Sequence, residues 1–461
     1  MPVFEKTSAM PVSAAELFAW HARPGAFQRL RPPWERIRVL EQTGGIRDGG
    51  RLAMEIDKGP LRLRWVAQHV DYQEGVRFCD EQVEGPFARW RHEHRVEPDG
   101  EQRSILRDRV QWELPLGKAG EMMGKGATQT MLERMFHHRH ERTRRDLERH
   151  QAFADRPRLT IAVTGASGMI GSELTAFLEG GGHQVRRVTR RRPEAGSSQP
   201  YWNPEAGEVA AEGFRGVDAV VHLAGENIAA GRWTPERKEA IRKSRVEGTR
   251  LLAEALASVS SGPKVLVVAS AIGYYGDRGD EPVSEDSPAG EGYLAEVCQA
   301  WEAAALPAAQ AGIRVVNARI GVVLSGQGGA LPKLLTPFKL GAGGPVGTGR
   351  QVMSWVAIDD VVGALHYLIM SEGFAGPVNL VAPRPVTSRE FARTLGKVLH
   401  RPAIVPLPGF AVKAAFGEMG EELLLGGARV IPKRLREGGF RFLYPELEAA
   451  LRAELGLPSP A

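Results

Sequence analysis

Leu159-Thr160-Ile161-Ala162-Val163-Thr164-Gly165-Ala166-Ser167-Gly168-Met169-Ile170-Gly171 joins a short apolar run to three glycines in the spacing T-G-x-x-G-x-x-G, and an amphipathic run, Ser172 to Glu179, follows. A strand, a tight turn and a helix start form the setting in which such glycines bind a dinucleotide. Gly165 permits the tight turn, Gly168 lets the backbone approach a pyrophosphate, and Gly171 lets the helix pack close to the strand. Ser167, Met169 and Ile170 complete the turn. The helix that begins there offers N–H groups and a positive dipole to phosphates. Glycines also punctuate ordinary turns; the flanking strand and helix signals select the cofactor reading. The position is unusual, because 158 residues precede it.

Those residues imply a chain of several domains, for which 461 residues is ample. With 43% apolar and 25% charged residues it is ordinary globular material. The net charge of +5 is shared between the N-terminal third and the rest, so no basic region argues for nucleic acid. Two cysteines, Cys79 and Cys298, exclude a disulfide framework and a four-cysteine zinc site. The opening Met1-Pro2-Val3-Phe4-Glu5-Lys6 is no signal peptide, and no apolar run approaches membrane-spanning length. A cytoplasmic protein without a membrane contact is expected.

Residues 1–150 read as their own unit. Pro11 to Trp20 suggests a short helix opened by Ser13. Arg51 to Ile56, Leu61 to Val70, Arg89 to Val96 and Ile105 to Leu114 alternate with period two, with turn residues such as Asp57-Lys58-Gly59-Pro60 and Pro98-Asp99-Gly100 between them. Such a pattern predicts an antiparallel sheet. A long helix is expected over Thr128 to His150, with Met131, Leu132, Met135, Phe136 and Leu147 on one stripe. Five tryptophans lie in this unit, Trp20, Trp34, Trp65, Trp90 and Trp112; they either line a ligand cavity or fill a small core. His137, His138 and His140, among Arg139, Arg142, Arg144 and Arg145, read as a solvated helix face. His92 and His94 share one strand face and could ligate a metal, but no third ligand is evident, so a buried or surface role and no metal site are expected.

Residues 151–158 are the expected linker, and a βα alternation then starts. Gln184 to Thr189, Ala219 to Leu223, Val265 to Ser270 and Ile313 to Ala318 read as further strands. Pro235 to Ala257 and Gly292 to Gln310 read as helices, as do Asp359 to Met370 and Ser388 to His400, with a short strand Val378 to Val381. This predicts a doubly wound parallel sheet over residues 159–399, followed by a small C-terminal domain, 400–461. An acid ending the second strand would bind the ribose 2′-OH of NAD. Here the strand ends Val188-Thr189-Arg190-Arg191-Arg192-Pro193. Arginine suits the 2′-phosphate of NADP, and Arg190 is the candidate clamp.

The third strand ends Val220-Val221-His222-Leu223-Ala224-Gly225-Glu226-Asn227. At this point the chain resembles the extended short-chain dehydrogenase/reductase superfamily. The match sharpens to an atypical NAD(P)-dependent epimerase/dehydratase-like subgroup through Leu223 to Ile228, Trp233, Ser244-Arg245, Trp301-Glu302, Gly344-Pro345-Val346-Gly347, Ser354 to Asp360, Pro406-Leu407-Pro408 and Gly427 to Pro432. It covers about residues 159–455. The resemblance implies a Rossmann-type α/β fold with a small C-terminal lobe. It also implies NADP binding through the glycine loop, Thr189-Arg190, Leu223-Ala224-Gly225-Glu226 and Arg245. The first 150 residues resemble in layout the polyketide cyclase/START-like superfamily, with Val12 to Phe18 as a weak motif; that implies an α+β helix-grip domain and a hydrophobic ligand.

The superfamily's usual catalytic set is a serine and a Y-x-x-x-K pair, in which lysine lowers the tyrosine pKa. Aligned on Glu302, Cys298 stands at the lysine position and Leu294 at the tyrosine position; the register from Tyr293 ends on Val297. Neither supplies a lysine. Ser270 matches the superfamily serine, either polarising a substrate carbonyl or capping its strand. Tyr275 and Tyr293 are candidate acids, and Tyr274 beside them is another. Arg245 either holds phosphate or ribose, or pairs with Glu239 or Glu247 on its helix. These features imply an NADP-dependent reductase or epimerase on a carbonyl or sugar-like substrate. The missing lysine points instead to a catalytically silent NADP(H) sensor or partner-binding module. A third reading makes the N-terminal domain a dimerisation element only.

Overall fold

The computed structural model describes residues 1–458 apart from 60, 195, 196 and 198. The chain divides into two compact units, one built mainly from Met1–Pro157, the other mainly from Arg158–Thr175 and His183–Arg452. Residues 400–452 lie in the same compact unit as the dinucleotide-type fold.

The first unit is a seven-stranded antiparallel sheet wrapped on a long helix. Its strands are β1 (Val3–Met10), β2 (Ile37–Thr43), β3 (Arg51–Lys58), β4 (Leu61–Gln73), β5 (Arg77–Glu84), β6 (Arg89–Pro98) and β7 (Ser104–Glu113), in the order β1-β7-β6-β5-β4-β3-β2. Helix α1 (Ala14–Ala22) starts where the sequence places it: the Ser13 hydroxyl accepts from the Glu16 N–H at 3.3 Å. Helix α2 (Ala26–Leu30) follows. Helix α3 runs over Gly117–Gln151, eleven residues earlier than the apolar stripe alone indicates. Trp112 is fully buried and Trp90 nearly so, with Phe4, Val110, Leu132 and Phe136, while the fully buried Trp20 packs in a second cluster with Leu17, Phe18 and Phe78. These rings fill the core.

The histidine-rich turn of α3 requires a correction. His137 is exposed, but His140, Arg142, Thr143 and Asp146 are buried. The charged groups are matched: Asp146 takes two hydrogen bonds from the equally buried Arg29, at 2.7 and 2.8 Å, and His140 meets Asp108 and Ser8. A polar side of a helix is normally solvated; here partners on the sheet and on α2 replace the water.

The second unit is built on a parallel sheet. Its strands are β8 (Thr160–Thr164), β9 (Gln184–Arg187), β12 (Ala219–His222), β13 (Val265–Ala271), β15 (Arg314–Ile320) and an edge strand, Gly376–Leu380. The short hairpin β10 (Tyr201–Asn203) and β11 (Glu208–Ala210) follows β9, and β14 (Pro282–Val283) pairs with Arg429–Val430 of the C-terminal segment. Sheet order from the edge strand is β15, β13, β12, β8, β9, all parallel. Val163, Val220, Val221, Val267, Val268 and Val316 are fully buried, as expected of strands covered on both faces. Helices α4 (Met169–Gly180) and α5 (Pro235–Ser258) flank the sheet. The helix expected over Gly292 to Gln310 is two, α6 (Tyr293–Ala303) and α7 (Leu306–Gln310), because Pro307 opens a new first turn. No described helix is long and apolar enough to cross a membrane.

Candidate dinucleotide site

Strand order reverses between β8 and β12, and ligands of doubly wound folds bind in the crevice at such a point. The turn after β8 is there. Gly165 has φ +65°, and a Cβ on it would lie 2.9 Å from the Ala224 nitrogen and the Leu223 carbonyl carbon. A Cβ on Gly171 would lie 2.1 Å from the Gly165 oxygen. These two glycines are steric requirements. Gly168 is less demanding; its Cβ would stand 3.2 Å from that oxygen. The turn closes through Gly168 N–H to Gly165 O at 2.9 Å. Ser167 and Gly168 are exposed, Ile170 is half-buried, and Met169 packs against Gly328 and Gly329.

Sequence reasoning missed the pair that fastens this crevice. The Thr164 hydroxyl accepts from the N–H groups of Leu223 and Ala224, at 3.1 and 3.2 Å, and shares a hydrogen bond of 2.7 Å with His222 Nδ1. His222 is fully buried, and burial pushes its pKa down to about 4, so it stays neutral. The hint lay in the neighbouring ends of the first and third strands: Thr164 and His222 are Cα partners.

Beyond Ala224, the Glu226 N–H donates to Ser244 Oγ at 3.1 Å, and Arg245 donates to the Glu226 carbonyl at 3.0 Å. Arg245 also donates to the Ile241 carbonyl and lies 5.0 Å over the Trp301 ring. It pairs with neither Glu239 nor Glu247; Glu247 meets Lys243 instead. A Cβ on Gly225 would make an ordinary 3.5 Å contact with the Arg245 guanidinium. At the end of β9, Thr189 bridges to Tyr201 and its hydroxyl accepts from Arg191 N–H. Arg190 has a side chain 69% exposed, 3.5 Å from the still more exposed Glu205.

The candidate catalytic residues separate. Ser270 is buried and its hydroxyl donates to Glu302 Oε1 at 2.8 Å. Glu302 grips Arg319 in a fork, 2.8 Å on both sides. Arg319 donates to the Tyr275 hydroxyl at 2.9 Å, and Tyr275 donates to Asn379 Oδ1 at 2.8 Å. Tyr275 is fully buried, and burial pushes its phenol up to about 12. Its hydroxyl is spent inside this ladder. Cys298 is buried as well, its thiol pushed up to about 11 by burial and then by Glu302. Tyr293 stands apart. It is half-buried, its hydroxyl donates to the Lys238 carbonyl at 2.5 Å, and the Lys238 ammonium lies 4.5 Å over its ring. Burial raises its pKa, and Arg245 works against that rise.

A doubly wound parallel sheet with a glycine cradle at its switch point defines a dinucleotide-binding α/β protein. Comparison with known proteins agrees. The model of the NAD dependent epimerase/dehydratase family matches residues 161–380. That of polyketide cyclase / dehydrase and lipid transport matches 10–136, and a domain of unknown function (DUF1731) matches 407–454. The epimerase family protein Mb2239 of Mycobacterium bovis is 46% identical over 291 residues, 63% of this chain and 96% of the relative. The human epimerase family protein SDR39U1, solved with NADPH, is 38% identical with a TM-score of 0.60, over 64% of this chain and 99% of that one. A nucleoside-diphosphate sugar epimerase from Corynebacterium glutamicum is 34% identical with a TM-score of 0.80, over 98% of this chain and 90% of that one. The chain belongs to the NAD(P)-dependent epimerase family, with a polyketide-cyclase-like domain ahead of it and the family's small C-terminal region behind.

Proposed function

We propose that this protein binds NADP(H) and acts as an oxidoreductase or epimerase on a small carbonyl or sugar-like substrate. The observation that carries the reading is the cradle at the switch point: Gly165 and Gly171 leave no room for a side chain, and no acid closes β9. Gly165 to Gly171 and Leu223 to Glu226 would hold the pyrophosphate and its neighbouring ribose, and Arg190 the 2′-phosphate. Bound NADP(H) supplies hydride chemistry. Tyr293 is the proton donor or acceptor, because it is partly exposed with a cation, Lys238, at its ring and stands outside the buried ladder that holds Tyr275 and Arg319. Arg245 supplies charge near Tyr293 in place of the absent lysine. Ser270 polarises a substrate oxygen only if its bond to Glu302 opens.

A second reading has a specific observation in its favour. Ser270, Tyr275, Glu302 and Arg319 form one closed buried ladder, the arrangement of a scaffold, which suits a protein that binds NADP(H) without turnover. NADP(H) binding is common to both. The two buried, unpaired cysteines support a reducing compartment, and the N-terminal unit is the candidate binder of a hydrophobic ligand. The test is titration with NADPH and NADH, followed by nicotinamide absorbance as carbonyl compounds and nucleotide sugars are added. Preferential NADPH binding with oxidation supports the enzyme; binding without turnover across that set supports the sensor; no binding refutes both.

A further inference from the structure

The sheet of the first unit carries a polar cluster on its helix-facing side. Asp80 on β5 faces His92 on β6, and His94, two residues along, faces Asp108 on β7. Asp80 Oδ1 is 3.0 Å from His92 Nδ1 and 3.9 Å from His94 Nε2. Each imidazole therefore turns one nitrogen to Asp80. The other nitrogens meet one carboxylate, with His92 Nε2 at 3.3 Å and His94 Nδ1 at 2.6 Å from Asp108 Oδ1. Asp108 Oδ2 is in turn 2.7 Å from His140 Nε2 of α3, and His140 Nδ1 reaches Ser8 Oγ at 2.9 Å.

We propose that Asp80, His92 and His94 form a binding site for a divalent first-row transition metal such as zinc. Three nitrogen and oxygen donors within 4.8 Å of one another match the spacing of ligands around such an ion; bonds of about 2.0–2.1 Å in a tetrahedron set donors about 3.4 Å apart. The surroundings match as well. Metal-bound histidines hand their far nitrogen to a carboxylate, which fixes ring and tautomer; Asp108 does this for His92 and lies beside the far nitrogen of His94. As a hydrogen-bonded cluster alone it is poorly made. His94 Nδ1 is buried and, despite its closeness to Asp108, has no hydrogen bond of acceptable geometry. The Trp90 indole N–H holds the second oxygen of Asp80 at 3.3 Å, leaving Oδ1 for the ion. The Asp80 side chain keeps 17% exposure, which provides a way in, and three protein ligands leave one position for water.

The test uses the full chain stripped with a chelator. Expected are one Co2+ per chain with visible d–d absorption, its displacement by Zn2+, and a thermal midpoint that rises with Zn2+ and falls back with chelator. Asp80→Asn and His92→Asn should weaken Co2+ at least about 100-fold. Asp108→Asn should weaken it about 10–100-fold with stoichiometry kept. His137→Asn, at the exposed histidine of α3, should change nothing. If the ligand variants do not fold, the wild-type stoichiometry and the chelator-reversible midpoint decide. Failure of the stripped wild type to bind Co2+ or Zn2+ would overturn the site, as would wild-type affinity in folded Asp80→Asn and His92→Asn.

Discussion

Replacing Arg190 with alanine separates a phosphate clamp from a basic surface loop. In the structure Arg190 has a largely exposed side chain and, among the described residues, pairs only with Glu205, itself 83% exposed, at 3.5 Å. An exposed pair of this kind contributes about 0–1 kcal/mol, so thermal stability should stay within about a degree or two of wild type. A hydrogen bond from guanidinium to a 2′-phosphate is charge-assisted and contributes about 1.5–3 kcal/mol. NADPH affinity should therefore fall about 10- to 150-fold, while NADH, which has no 2′-phosphate, should lose less than about twofold. The assay is calorimetric titration of both cofactors at one ionic strength, since the contact is exposed to screening. Equal losses for NADPH and NADH, or no loss for either, would refute the clamp; Arg191, in the same exposed loop, would then be the next substitution.

Four further outcomes follow from the same geometry. Gly171→Ala drives a Cβ to 2.1 Å from the Gly165 carbonyl, and should cost about 1–3 kcal/mol of stability together with most cofactor binding, read by urea unfolding and titration. Tyr293→Phe should lower any turnover at least about 100-fold with NADPH affinity retained. Tyr275→Phe, which strips a partner from buried Arg319 and Asn379, should instead cost about 1–3 kcal/mol of stability and leave cofactor affinity alone. His222 has a folded pKa of about 4 against an ordinary value of about 6.5. Its unfolded form takes up a proton first as pH falls, so it costs nothing above about pH 6.5 and removes up to about 3 kcal/mol by pH 4. His222→Gln should flatten that acid limb; an unchanged slope between pH 7 and 4.5 would count against a buried neutral imidazole.

The parallel sheet and its cradle were legible because their requirements are written in residue type. A strand covered on both faces needs an unbroken apolar run, and Gly165 and Gly171 answer contacts that forbid any Cβ. The N-terminal sheet was legible only in part. Strands β3, β4, β6 and β7 alternate, but β1, β2 and β5 do not announce themselves. In β1 only Phe4 and Met10 are buried, and β2 is an edge strand, mostly exposed. The inner faces of β5, β6 and α3 are lined partly by Asp80, His92, His94 and His140. Charged residues that satisfy one another inside a domain have the periodicity of a surface, so His140 read as solvated. The Ser270–Glu302–Arg319–Tyr275 ladder joins residues up to 49 positions apart, and no local spacing encodes it.

The pairing of β1 with β7 has a consequence for how the chain is made. Its partners run from Met10 with Ser104 to Val3 with Gln111, so the first strand of this sheet to be synthesised must wait for the last. During that interval β1 has no mate and the growing sheet has an open flank, which is when a nascent chain is most prone to mispairing. The second unit has no such delay at its start, since β9 follows β8 within one short helix and pairs with it directly. Vectorial synthesis thus places the slow, long-range closure first, and a holding chaperone would have its main work on residues 1–113, before the glycine cradle has been translated.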